Sequence, residues 1–141
     1  MAALKIQVTF DCSHPHEVAD WWANALDWNV EPQDAEFIKS MIAQGFAQES
    51  DTVIHNGQLV WRTGCAINSP DENSPRIYFQ EVPEPKTIKN RVHLDLRHGD
   101  ANLEELRAKL ESLGAVFQST GQQGPHSWTT YQDPWGNEFC V

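Results

Sequence analysis

The chain has 141 residues, 20 of them Asp or Glu against 10 Lys or Arg, giving a formal net charge of −10 and a pI near 4.8. A surface that acidic repels phosphate backbones and anionic lipid, so neither nucleic acid nor a membrane is expected as a partner, and no apolar run is long enough to span a bilayer. Hydrophobic residues make up 40% of the chain, enough at this length to bury the core of one domain.

In chain order, Lys5 to Asp11 (KIQVTFD) alternates apolar with polar and reads as a strand. Ser13-His14-Pro15 starts a helix to Leu26: Ser13 or His14 caps, Pro15 loses nothing in the first turn, and Val18, Trp21, Trp22, Ala25 and Leu26 form an apolar stripe. Asp34 is placed to cap a second helix carrying Phe37, Ile38, Met41, Ile42 and Phe46. Thr52 to Trp61 reads as a hairpin around Asn56-Gly57, with room for the second arm to continue through Cys65-Ala66-Ile67. Asn68 to Pro75 is a loop, Arg76 to Val82 a strand, and Pro83 to Lys86 closes the first half.

Arg91 to Arg97 (RVHLDLR) is the most regular stretch. Val92, Leu94 and Leu96 point one way and Arg91, His93, Asp95 and Arg97 the other, as expected of a strand with a core face and a polar face that lines a cavity. Asp100 is expected to cap a helix whose buried stripe is Leu103, Leu106, Leu110 and Leu113, with Gly114 as its stop. Ala115 to Ser119 follows as a short strand and Thr120 to Pro125 as a loop. His126 to Gln132 and Asn137 to Val141 then form a hairpin around the turn Asp133-Pro134-Trp135-Gly136. The two halves correspond: KIQVTFD matches RVHLDLR at an offset of 86 (93 − 7), and LDWNV after the first helix matches LGAVF after the later one. Each half reads as strand, helix and three strands, which implies two copies of one unit.

Several side chains carry chemistry, and each has a plainer reading beside it. His93 and Asp95 form an acid–base pair if Asp95 orients the imidazole; equally, Arg91, Asp95 and Arg97 neutralise one another as a charge ladder. Cys140 with His93 as nucleophile and base stands against inert packing of a thiol. His14 and His16 resemble a metal pair but start a helix, where capping and surface roles are the expectation, and His55 beside the Asn-Gly turn is expected to be exposed. His126 is placed either to reach over a pocket mouth or to sit in a solvated loop. Trp61 and Trp128, each on an expected strand, are placed to stack a planar ligand, with Arg91 or Arg97 pairing an anionic group on it. The three cysteines, Cys12, Cys65 and Cys140, form no CxxC pair, which fits a reducing, cytoplasmic setting, and the first residues enter a strand with no signal-peptide layout.

Tyr78 to Gln80, Val82 to Lys86, Lys89 to Leu96 and Asp133 to Val141 (DPWGNEFCV) resemble the glyoxalase-like branch of the glyoxalase, bleomycin-resistance and extradiol-dioxygenase superfamily, the vicinal oxygen chelate proteins. The resemblance implies a single α+β domain of two βαβββ modules, about 4–83 and 91–141 with a linker at 84–90. Their strands would form a partly open, concave, eight-stranded mixed sheet with the helices outside, and the protein would be a homodimer. It further implies one divalent ion (Zn, Ni, Mn or Fe) held by a residue on the first strand and one near the last strand of each module. Carried over, these are Gln7, Gln80, His93 and either Cys140 or Glu138, which share a face. The family's acidic ligand is missing at Gln80, since Glu81 points to the opposite face of a regular strand. The activity implied is that of a metal-assisted lyase, isomerase or dioxygenase on a small molecule. The alternative is a metal-free protein that sequesters an aromatic or drug-like ligand, as bleomycin-resistance members do.

Overall fold

The structure, a computed structural model, describes residues 2–141. The chain divides into two compact units, the first ending at Pro85 and the second running from Lys86 to Val141. In the first, β1 (Val8–Cys12) is followed by α1 (Pro15–Leu26), β2 (Asn29–Val30), α2 (Ala35–Ala43), a 3₁₀ turn (Glu49–Asp51), β3 (Thr52–His55), β4 (Gln58–Trp61), β5 (Gly64–Asn68) and β6 (Ile77–Glu81). In the second, β7 (Leu94–Asp95) leads to α3 (Leu103–Ser112), β8 (Val116–Gln123), β9 (His126–Gln132) and β10 (Glu138–Cys140).

Each unit builds an open four-stranded sheet, ordered β1-β6-β5-β2 and β7-β10-β9-β8. In both, the first strand pairs in parallel with the last, and the remaining pairs are antiparallel. The fold is therefore α+β, with the βαβββ order repeated. The hairpin expected among the first unit's strands is instead a separate two-stranded sheet, β3-β4, inserted with α2 between β2 and β5. Its turn is as read: Asn56 and Gly57 take φ of 50° and 78°.

The matching helix exits have a common cause. Asp27 (φ 56°) and Gly114 (φ 101°) both turn the chain left-handed. The next N–H then reaches back, from Trp28 to the Ala23 carbonyl at 2.9 Å and from Ala115 to the Leu110 carbonyl at 3.0 Å. In the first unit Val18, Ala19 and Trp22 of α1 pack with Ile67, Ile77 and Phe79, and Phe10 stacks on Phe79 and Trp22 at 5.5 and 6.1 Å. In the second, Leu110, Tyr131 and Phe139 are fully buried, with the two rings 5.8 Å apart.

Several boundaries differ from expectation. β1 begins at Val8, leaving Gln7 outside the strand. RVHLDLR forms a strand only over Leu94–Asp95, paired with Phe139 and Cys140 of β10, and the Leu96 N–H still donates to the Cys140 carbonyl at 2.8 Å; upstream, Val92 is 78% exposed instead of in the core. Asp34 does cap α2, accepting from the Glu36 and Phe37 N–H groups, but the helix stops at Ala43 and leaves Phe46 exposed. Asn102, not Asp100, caps α3: its side chain accepts the Glu105 N–H at 3.1 Å, and Leu110 alone of the leucine stripe is fully buried. The segment read as the loop Thr120 to Pro125 is mostly strand, since β8 pairs with β9 as far as Gln123 and only Gly124-Pro125 turns. Among the described residues, no helix is long and apolar enough to cross a membrane.

Candidate functional site

The short β10 strand organises the second unit's solvent-facing sheet surface. Phe139 points into the core, so Glu138 and Cys140 emerge on the opposite face. Cys140 lies opposite Asp95 on β7 and Thr130 on β9, and Thr130 Oγ1 is 3.4 Å from Cys140 Sγ. His93 Nδ1 stands 3.0 Å from Asp95 Oδ1. One donor atom from each of His93, Asp95 and Cys140 lies within 4.8 Å of the others. The first two side chains are exposed and Cys140 half-buried, so an imidazole, a carboxylate and a thiol share one accessible spot.

Trp128 stands two residues along β9 from Thr130, on the same face, and is 37% exposed. Its indole lies over Gly121 of β8, occupying the space where any Cβ there would stand. His126 begins β9 and is exposed, as are Arg91 and Arg97, which flank β7 outside its ladder.

Glu138 has another task. Its carboxylate accepts the Asn90 N–H at 2.9 Å and meets Lys86 Nζ at 3.2 Å. Burial works against its charge, but the Asn90 N–H and Lys86 outweigh burial and hold the carboxyl below its ordinary range. Asn90 also donates to Asn137, which donates to the buried Asp133 at 2.8 Å; Asp133 in turn accepts the Trp135 and Asn137 N–H groups. Lys86, Asn90, Asp133, Asn137 and Glu138, drawn from three of the four stretches that carry the family likeness, are thus one polar web.

The remaining residues of the expected metal set belong to the first unit, where they do not converge. Gln7 precedes β1 opposite Arg76, and its Oε1 accepts from that guanidinium at 2.8 Å. Gln80 lies opposite Asp11, four residues further along and about 13 Å away at strand spacing. Asp11 is an exposed acid beside Gln80, and the alternation of KIQVTFD places it on the same face as Gln7. Trp61 ends β4 of the separate hairpin and so is not on the four-stranded sheet; its backbone is engaged by His16 and Gln33. Two histidines expected at the surface are not there: His16 is buried, and half-buried His55 is bonded to Asp20 at 2.6 Å.

The family model described as "Glyoxalase-like domain" matches residues 7–141. No curated protein sequence matches the chain. Solved structures match along nearly its whole length. A fosfomycin resistance protein FosX from Mesorhizobium loti is 11% identical with a TM-score of 0.64, covering 99% of this chain and 90% of its own. FosX from Listeria monocytogenes, in a mutant complexed with Mn(II) and 1S,2S-dihydroxypropylphosphonic acid, is 8% identical with a TM-score of 0.61, covering 99% and 89%. The oxidase ChaP-H2 is 10% identical with a TM-score of 0.62, covering 100% and 93%. At these identities the likeness is one of fold.

Proposed function

Because the chain belongs to the glyoxalase-like domain family of the vicinal oxygen chelate superfamily, we propose that it binds a small molecule at a divalent metal held by His93, Asp95 and Cys140. The observation that carries this reading is the convergence of three different donor atoms within 4.8 Å on an accessible sheet face. The donor set fits a metal: nitrogen, oxygen and sulfur together suit zinc or iron, whereas calcium and magnesium take oxygen. The Mn(II) bound by the Listeria FosX supports a divalent ion on this fold.

When bound, the ion would act as a Lewis acid on a carbonyl or a pair of adjacent oxygens, the chemistry of a lyase, isomerase or dioxygenase. The chain's own residues orient and exchange protons. With the ion bound, His93 Nδ1 and Asp95 Oδ1, 3.0 Å apart, would both turn a lone pair to it; without it, Asp95 accepts from His93 Nδ1–H and Nε2 keeps a lone pair that can take a proton from substrate. Trp128 supplies a flat apolar wall for a planar ligand, His126 stands at its edge, and Arg91 or Arg97 pairs with an anionic group. Gln7 and Gln80 drop out of the ligand set, and so does Glu138, whose carboxylate is committed to Lys86 and Asn90.

That commitment of Glu138 favours a second reading, a metal-free pocket that sequesters its ligand, because it removes the acid the family places near the last strand. Metal analysis of tag-free protein loaded with zinc or iron(II) separates the two. Bound metal is expected, with roughly one equivalent per chain disappearing in His93→Ala. Equal metal in the variant and the unaltered chain would sink the metal reading and leave the binding pocket.

A further inference from the structure

Thr130 of β9 stands between two neighbours on its ladder, Cys140 of β10 on one side and Ser119 of β8 on the other. The adjacent Thr129 exchanges both backbone hydrogen bonds with Val141, each at 2.9 Å. In an antiparallel ladder hydrogen-bonded and non-hydrogen-bonded pairs alternate, so Thr130 and Cys140 form a non-hydrogen-bonded pair, the kind in which the side chains come closest. Thr130 Oγ1 accordingly lies 3.4 Å from Cys140 Sγ, and it is the only hydrogen-bonding partner of that sulfur among the described residues.

Two features fix the contact. The next pair along, Tyr131 and Phe139, is buried with its rings stacked, and a slip of one residue between the strands would turn a ring out of the core. Threonine is also branched at Cβ, which limits the rotamers through which Oγ1 can turn away. As a free thiol, Cys140 can donate to Thr130 or accept from it. A cysteine that ligates a metal does so as the thiolate, which has no proton left and only accepts. The Thr130 hydroxyl is then the donor. A donor on a ligating sulfur aims its lone pairs and draws negative charge off it, and so sets how strongly the sulfur gives electrons to the ion.

Resting on the reading that His93, Asp95 and Cys140 hold a metal, we infer that Thr130 is a positioning residue for that centre: its hydroxyl donates to the Cys140 thiolate, orienting the sulfur and tempering its donation to the ion.

The test is cobalt(II) loading of the full-length chain, read in the near ultraviolet, where charge moving from a thiolate to cobalt absorbs. Cys140→Ser assigns the band, since it removes the sulfur. A hydrogen bond stabilises the sulfur electrons that move. Thr130→Val, which keeps the shape and loses the hydroxyl, is therefore expected to shift the band to longer wavelength and to weaken cobalt binding by about 10–100-fold. Thr130→Ser, which keeps the hydroxyl, is expected to hold the band near its original position. Far-UV circular dichroism shows whether each variant folds, and Thr130→Ala takes the place of Thr130→Val if the latter does not. A band that stays in place in the folded variant without the hydroxyl overturns the role of Thr130 and leaves the metal reading standing. A chain that takes up no cobalt, or whose band survives Cys140→Ser, overturns Cys140 as a ligand and the role of Thr130 with it.

Discussion

A Cβ at Gly121 would collide with the Trp128 indole, so the glycine is what allows that ring to lie flat across the sheet beside the candidate site. Gly121→Ala is therefore expected to push the indole aside, to cost about 1–3 kcal/mol as overpacking does, and to shift the tryptophan emission spectrum. An unchanged melting temperature and spectrum would show that the ring does not depend on the glycine. A glycine inside a strand signals just such a close approach. Here the signal was hidden because TGQQG carries no apolar alternation and reads as a loop. His93 and Asp95 were legible for the opposite reason, since RVHLDLR alternates without a break and separates its polar side chains by itself. Cys140 became legible only through its distance from the DPWG turn. That the His16 and His55 rings lie 5.2 Å apart was not legible at all, because one is on a helix and the other on an inserted hairpin that no local pattern links.

Among the elements, β2 is, like β7, a two-residue strand at a sheet edge, and it is held from outside its ladder. Glu31, just beyond it, receives Arg76 Nε and Nη2 at 2.8 Å each, and Arg76 leads directly into β6. The Arg76 hydrogen bond lowers the Glu31 carboxyl to about 2 against the pull of burial, from 4.5. A carboxyl that is more acidic folded than unfolded adds stability above its unfolded value, and that stability drains away as pH falls toward the folded one, because the unfolded chain takes up the proton first. The melting temperature of the unaltered chain is thus expected to fall more steeply between pH 4.5 and 2 than that of Glu31→Gln. Parallel curves would show that the pair contributes nothing to the acid limb. The pair is partly solvent-exposed, so the expected difference is modest. A two-residue strand is too short for period-two alternation to register, so β2 is not legible in the sequence and the hairpin reads as part of the sheet. The long helix α1 and the Asn-Gly turn, each with strong local chemistry, were read close to their true bounds.

For the whole molecule, the repeated βαβββ order was legible because two different signals, the opening strands and the helix exits, recurred together. The insertion was not, since it belongs to one copy only. Within each unit the first strand sits at a sheet edge and pairs with the last: β1 with β6 and β7 with β10. Truncation before Glu138 is accordingly expected to abolish near-ultraviolet dichroism from Tyr131 and to disperse the His93, Asp95 and Cys140 cluster, while the dichroism of the first unit's buried Trp22 persists. Loss of both signals together would mean that the units do not fold separately. The polar web between Lys86–Asn90 and Asp133–Glu138 carries the same topology into time. On a ribosome, Glu138 is added long after Lys86 and Asn90 have emerged, so those residues wait with their partners unmade. The second unit's first strand gains its neighbour only as its last is released, which leaves His93 unplaced until synthesis of the unit is nearly over.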